Sequence, residues 1–254
     1  MFPIRDENPT LHTSFMTFAI IGINIAVWVF VQGLGFNPRL AASICEYGLI
    51  PGELLKTIIP GTALPLGDGL ACIVQAKPDW WTVITSMFMH GGWFHIVGNM
   101  WFLAIFGDNI EDALGPVRFV VFYFLCGIAA VAAQMISDPS SAVPMVGASG
   151  AISGVMGAYA FIYPRVPVHM LVFVGFFFFR VIVPAYLVLG YWFILQVLGS
   201  LPALAGMSGG VAFWAHIGGF LTGIILVSIM CDKRRVETCR RRRGTISGIT
   251  RWIR

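Results

Sequence analysis

Val146-Gly147-Ala148-Ser149-Gly150-Ala151-Ile152-Ser153-Gly154 is a run of small residues inside a sequence otherwise rich in Leu, Ile, Val and Phe. Small side chains at the start of an apolar helix let its backbone lie close to other backbones. Gly150 and Gly154 form a small-x-x-x-small pair, and the same spacing recurs at Gly219 and Gly223 near the end of the chain. The two stretches let a pair of helix backbones approach closely, which accords with an all-α bundle. The glycines also leave space above the hydroxyl of Ser149.

Composition sets the solvent of that bundle. With 57% hydrophobic residues, 11% charged residues and a mean hydropathy of +0.83 over 254 residues, the chain is too apolar for a soluble domain. It reads as a polytopic membrane protein. Nine of its sixteen Lys and Arg residues follow residue 230, from Lys233 to Arg254. The net charge of +4 therefore belongs to a membrane-proximal tail and not to a nucleic-acid-binding face, so no nucleic-acid partner is expected. Cys45 and Cys72 share one loop and are either bonded or two thiols; Cys126, Cys231 and Cys239 make no framework.

Hydropathy places six spans at about 14–31, 92–110, 117–136, 149–163, 181–198 and 210–230. The first lacks a basic leader and a small-residue cleavage site, so it reads as retained. Residues 1–231 form the membrane domain, with a long, partly membrane-embedded first loop at about 33–81, and residues 232–254 form a basic cytoplasmic tail. The stretch Val166 to Phe179 is too short to cross and is expected to be an interfacial connection. Six spans put both termini on one side with Arg5, Arg118, Arg165, Arg180 and the tail, leaving Arg39, Lys56 and Lys77 opposite. The excess of positive charge makes that first side cytoplasmic, in a cell membrane.

The polar residues inside the spans gather at one depth. At about 1.5 Å per residue, Ser149 to Tyr163 makes a helix of about 22 Å, roughly 8 Å short of a hydrocarbon core of about 30 Å. Ser149 then lies about 8 Å below the outer surface, with His216 at about 9 Å, His95 at about 5 Å and Asn99 at about 11 Å. His216 is at i, i+3 and i+7 with Gly219 and Gly223, so it faces a neighbouring helix.

A serine hydroxyl becomes a nucleophile when a base takes its proton, and the resulting oxyanion needs donors. No Asp or Glu occurs between Asp138 and Asp232 to complete a triad. The expected machinery is a dyad of Ser149 (nucleophile) and His216 (general base), with the imidazole held by packing and an aromatic such as Tyr159 a further candidate to hold it. Oxyanion donors are the Ser149 backbone N–H, the Asn99 amide and His95. No metal and no cofactor is expected: none of the histidines is followed by Glu as an H-E-x-x-H zinc helix requires, and a phosphate-binding loop is missing. An intramembrane aspartyl protease would need two carboxylates at depth.

Five segments in order carry a family resemblance: Met89-His90-Gly91-Gly92-Trp93-Phe94-His95-Ile96-Val97-Gly98-Asn99-Met100, Phe106 to Gly115, Gly147 to Gly154, Tyr191-Trp192-Phe193-Ile194-Leu195-Gln196, and Ala215-His216-Ile217-Gly218-Gly219-Phe220. Over about 80–230 the chain resembles a bacterial-type rhomboid intramembrane serine protease. The resemblance implies a six-helix core around a wet cavity open to the exterior, with Ser149 and His216 as dyad and His95 and Asn99 as oxyanion stabilisers. Glu111 is implied to be structural, alongside the packing glycines Gly147, Gly150, Gly219 and Gly223. The implied substrates are single-span transmembrane proteins within the lipid bilayer, cut near the outer face. A departure is Trp80-Trp81-Thr82, where many relatives carry Trp-Arg. The alternative is a catalytically inactive rhomboid-like protein that binds client membrane proteins.

Overall fold

A computed structural model describes residues 2–67, 69–77, 79–174, 177–204, 211–232, 234–238 and 241. Strand β1 (Phe2–Asp6) precedes helix α1 (Phe15–Phe30). The first loop holds α2 (Arg39–Tyr47), α3 (Pro51–Leu54), the hairpin of β2 (Ala63–Gly67) and β3 (Leu70–Ile73), and α4 (Thr82–Thr85). Then come α5 (Trp93–Leu114), α6 (Pro116–Ser137) and α7 (Ser149–Ile162). A hairpin of β4 (Pro167–Val174) and β5 (Phe177–Pro184) leads to α8 (Ala185–Leu204) and α9 (Phe213–Met230). Most of the basic tail lies outside the described residues.

The long helices begin and end within four residues of the apolar stretches, apart from the C-terminus of α8, which runs six residues further. Among the described residues, α6 and α9 alone are long and apolar enough to cross a bilayer unaided, while Phe15–Phe30, Ser149–Ile162 and Ala185–Leu201 are shorter apolar helices. Bulky apolar side chains are exposed along these helices, among them Phe18, Trp101, Val121, Phe161, Ile225 and Ile229. In water such a surface would drive aggregation; a lipid-facing surface requires it. Inside, Leu103, Phe106, Phe119, Phe122, Tyr123, Met156 and Tyr159 form the core where α5, α6 and α7 meet.

The chain is mostly helical, and the all-α expectation is corrected only in that the described residues also hold five strands. The stretch read as an interfacial connection is an antiparallel hairpin, with Pro167 opposite Pro184 and Val174 opposite Phe177. Its Val, Ile and Phe content suits a pleated ladder. β1 adds to the free side of β4, pairing Phe2 with Leu171 and Asp6 with Val168, and gives a three-stranded sheet. Because β5 runs to Pro184, α8 starts at Ala185, four residues later than hydropathy suggests.

Helix α5 continues past Ile110 because its acidic end is satisfied by backbone. Glu111 accepts from the N–H groups of Met16 (3.0 Å) and Thr17 (2.7 Å) and from the Thr17 hydroxyl (2.7 Å). Asp112 accepts from the N–H groups of Leu11 and His12. These are the unpartnered donors that open α1 and the segment before it. The chain then reverses at Gly115, whose φ of +82° favours glycine, and Pro116 opens α6.

In the first loop Cys45 and Cys72 are disulfide-bonded, which settles the alternatives left open by their spacing. The loop also grips the segment that delivers the small-residue run. Leu49 and Met145 exchange two backbone hydrogen bonds of 3.0 and 2.7 Å, and the Gly52 N–H donates to the Ser141 carbonyl at 2.9 Å.

Candidate active site

Ser149 is the first residue of α7, so its backbone N–H has no partner within the helix. Its approach is fixed by Gly147, which has φ +123° and donates its N–H to the Ser86 carbonyl at 2.9 Å. A Cβ on Gly147 would sit 2.6 Å from His95 Nε2 and 3.5 Å from Ser149 Oγ. Glycine is needed there for both conformation and space, and its bare Cα is what brings the His95 ring over the serine turn.

Helix α9 delivers the histidine. A Cβ on Gly223 would lie 1.9 Å from the Gly154 carbonyl oxygen, and one on Gly157 2.2 Å from that of Phe220. α7 and α9 therefore touch through backbone, as the small-residue spacing predicts. Gly150 sits against a third helix, where its Cβ would meet Ala130 of α6 at 2.6 Å. At the end of this seam His216 Nε2 is 2.8 Å from Ser149 Oγ. His216 Nδ1 is 2.8 Å from Gln196 Oε1 on α8, and the Trp192 ring lies against the imidazole with centroids 5.8 Å apart. The Ala215 N–H donates to Gln134 Oε1 of α6 at 3.3 Å, tying the start of α9 to a third element.

The expected oxyanion donors reach the same space. His95 and Asn99 lie one turn apart on α5 and line one cavity with Ser149 and His216. That cavity has a volume of about 780 Å³ and is also bordered by Phe102, Met156 and Trp192. The Gly91 N–H donates to His95 Nδ1 at 3.2 Å, so in the neutral ring Nε2 carries the proton toward the cavity. Asn99 is buried, and its Nδ2 has no hydrogen-bond partner among the described residues. A buried donor without a partner, on a residue that lines a cavity, suits a ligand oxygen that arrives with substrate.

The structure corrects one expected role and adds two residues. Tyr159 does not hold the imidazole: its hydroxyl donates to the Asp6 carboxylate, and its ring packs on Phe106 with centroids 4.9 Å apart. The residue that does contact His216 Nδ1 is Gln196, at the end of the Tyr191–Gln196 segment, to which the sequence alone attaches no role. The available signal is a lone amide in an apolar helix, a costly group in lipid unless it has a task. His90 is the other addition; its buried ring meets His95 edge-on at 5.1 Å. Gln32 fixes the His90 backbone by accepting its N–H and donating to its carbonyl, each at 2.8 Å.

Comparison with known proteins gives one family. Residues 77–233 match the family described as Rhomboid domain. Rhomboid-like protein 11, chloroplastic, from Arabidopsis thaliana is 30% identical over 162 residues, 60% of this chain and 53% of that protein. Rhomboid protein 1, mitochondrial, from Saccharomyces cerevisiae is 25% identical over 248 residues, 95% of this chain and 60% of that protein. Rhomboid protease GluP from Bacillus subtilis is 33% identical over 87 residues, 34% of this chain and 17% of that protein. The chain thus covers less than two thirds of each of these relatives.

Proposed function

The chain belongs to the rhomboid family, and from that premise we propose that it is an intramembrane serine endopeptidase acting through Ser149 and His216. The observation that carries the reading is the 2.8 Å contact between His216 Nε2 and Ser149 Oγ inside the cavity. As Ser149 Oγ attacks a peptide carbonyl carbon, its proton passes to His216 Nε2. The carbonyl oxygen becomes an oxyanion, for which the Ser149 N–H, His95 Nε2 and the Asn99 amide are the donors. Collapse breaks the C–N bond, His216 returns the proton to the leaving amine, and the acyl-enzyme is hydrolysed by water that His216 deprotonates in turn.

Helices α1 and α5 to α9 are read as six spans in a cell membrane, with both termini cytoplasmic and the cavity opening to the exterior. The side-to-side imbalance of Lys and Arg supports that orientation. The Cys45–Cys72 bond supports an exterior first loop, since disulfides persist in oxidising compartments. Substrates are single-span membrane proteins, whose helix must open locally to present an extended peptide to Ser149.

The test is cleavage of a model single-span protein by purified enzyme in liposomes, comparing wild type with Ser149→Ala and His216→Ala. Both variants are expected to be inactive while still folded. Undiminished cleavage by Ser149→Ala overturns the mechanism; a folded wild type that binds the span without cutting it points to a client-binding protein.

A further inference from the structure

We infer that Gln196 is the third member of the catalytic constellation, a positioning residue that sets the tautomer and orientation of His216 with an amide where soluble serine hydrolases use a carboxylate. The inference rests on the Ser149–His216 reading above and extends it to a third helix, α8.

The geometry fixes which way the amide points. Gln196 is buried, with 9% of its surface exposed, and its Nε2 donates to the Trp192 carbonyl one turn back on its own helix at 3.4 Å. That leaves Oε1 facing His216 Nδ1 at 2.8 Å. A carbonyl oxygen only accepts, so Nδ1 must carry the hydrogen. In the neutral ring Nε2 is then the lone-pair nitrogen, 2.8 Å from Ser149 Oγ, which is the form a general base needs. A reversed amide would place N–H on Nδ1 and put the ring proton on Nε2, facing the serine hydroxyl uselessly.

The same contact has a second effect. When His216 takes the serine proton it becomes an imidazolium, and the Oε1 end of the amide dipole already points at the charged Nδ1–H. A carboxylate would serve better in water, but an ionised acid at this depth carries a heavy desolvation cost when the histidine is neutral. An amide offers the acceptor without the charge. Trp192, one turn away on α8, lies beside the imidazole at a tilt of 43°, so one helix turn supplies both the acceptor and a neighbouring wall.

The experiment uses the full chain in liposomes and compares Gln196→Met, Gln196→Glu and Ser149→Ala. Methionine keeps the length and apolar packing and loses the acceptor; glutamate keeps a carbonyl oxygen whether or not it is ionised. For Gln196→Met we expect kcat to fall roughly a hundredfold with KM within about twofold, the size of effect that misplacing a catalytic group produces. Gln196→Glu is expected to be the more active of the two. A residue that only packs would give the opposite order, because methionine suits a membrane helix and glutamate does not.

Imidazole nitrogen NMR of histidine-labelled wild type should show His216 as the Nδ1–H tautomer, with the population moving to Nε2–H in Gln196→Met. Wild-type kcat in Gln196→Met, a glutamate variant less active than the methionine variant, or an Nε2–H tautomer in the wild type would each overturn the inference. The wild-type spectrum decides the matter even where a variant fails to fold. Activity surviving in Ser149→Ala would instead overturn the underlying mechanism, so the two failures are separable.

Discussion

The Cα of Gly219 faces the carbonyl oxygen of Gly150 so closely that a Cβ there would lie 2.0 Å from it. The obstacle is backbone, which cannot swing aside as a side chain can, so Gly219→Ala must part α9 from α7. His216 sits three residues from this contact and would lose its 2.8 Å approach to Ser149. We expect Gly219→Ala to lose activity at least a hundredfold and to cost about 1–3 kcal/mol of stability, the range for overpacking a filled interior. Gly22→Ala on α1, where a Cβ meets nothing within 4 Å, is the control and should leave cleavage unchanged. Cleavage assays with thermal unfolding in micelles decide it.

Asn99 gives a prediction in which activity and stability move in opposite directions. Its Nδ2 is buried without a partner among the described residues, a state that costs the free protein about 1–3 kcal/mol. Asn99→Leu removes that cost at nearly constant volume, so the variant should melt at or above the wild-type temperature. It also removes the proposed oxyanion donor, for which the expected loss in kcat is about 10²–10³-fold. A leucine variant that keeps wild-type kcat would remove Asn99 from the oxyanion site.

Glu111 should behave in the reverse way. Its carboxylate satisfies two backbone N–H groups and one hydroxyl at the start of α1, far along α5 from His95. Glu111→Ala strands those donors and should cost on the order of 2–4 kcal/mol, seen as a lower unfolding temperature. Turnover per active site, counted with a serine-reactive probe on the folded fraction, should be little changed. A fall in kcat with unchanged stability would contradict a purely structural role.

How far these contacts are legible in the sequence depends on their range. Spaced glycines at 150, 154, 219 and 223 announce a backbone seam because small-x-x-x-small is a local pattern with one physical use in lipid. Helix rise alone puts Ser149, His216, His95 and Asn99 at a common level, and they line one cavity. The same rise separates Tyr159 from the site: ten residues at about 1.5 Å each carry it about 15 Å down α7. The 167–184 hairpin is hidden for another reason. Its apolar run fits an interfacial segment as well as a strand, and the outcome is decided by β1, whose pairing with β4 joins residues far apart in sequence. Gln196 is visible as an amide in an apolar helix, but its partner is on another helix and no periodicity links them.

Asp6 ties the amino-terminal strand to α7 and gives the chain a pH dependence. Its carboxylate lies at the end of β1 and accepts from the Tyr159 hydroxyl. Burial raises its pKa from 3.8 to about 6, against the smaller opposing effect of that hydrogen bond. The folded state therefore holds a proton between those values that the unfolded state has released. Stability is highest below pH 4 as far as this group is concerned, falls as pH rises through about 6, and is flat above. The loss across the window is on the order of 2–3 kcal/mol, since a tenfold difference in proton affinity corresponds to about 1.4 kcal/mol. Asp6→Asn keeps an oxygen for the Tyr159 hydroxyl and cannot ionise, so its unfolding midpoint should gain stability relative to wild type above pH 6 and lose the excess toward pH 4. Midpoints that run parallel in the two proteins across this range would show that Asp6 is ionised normally in the folded chain.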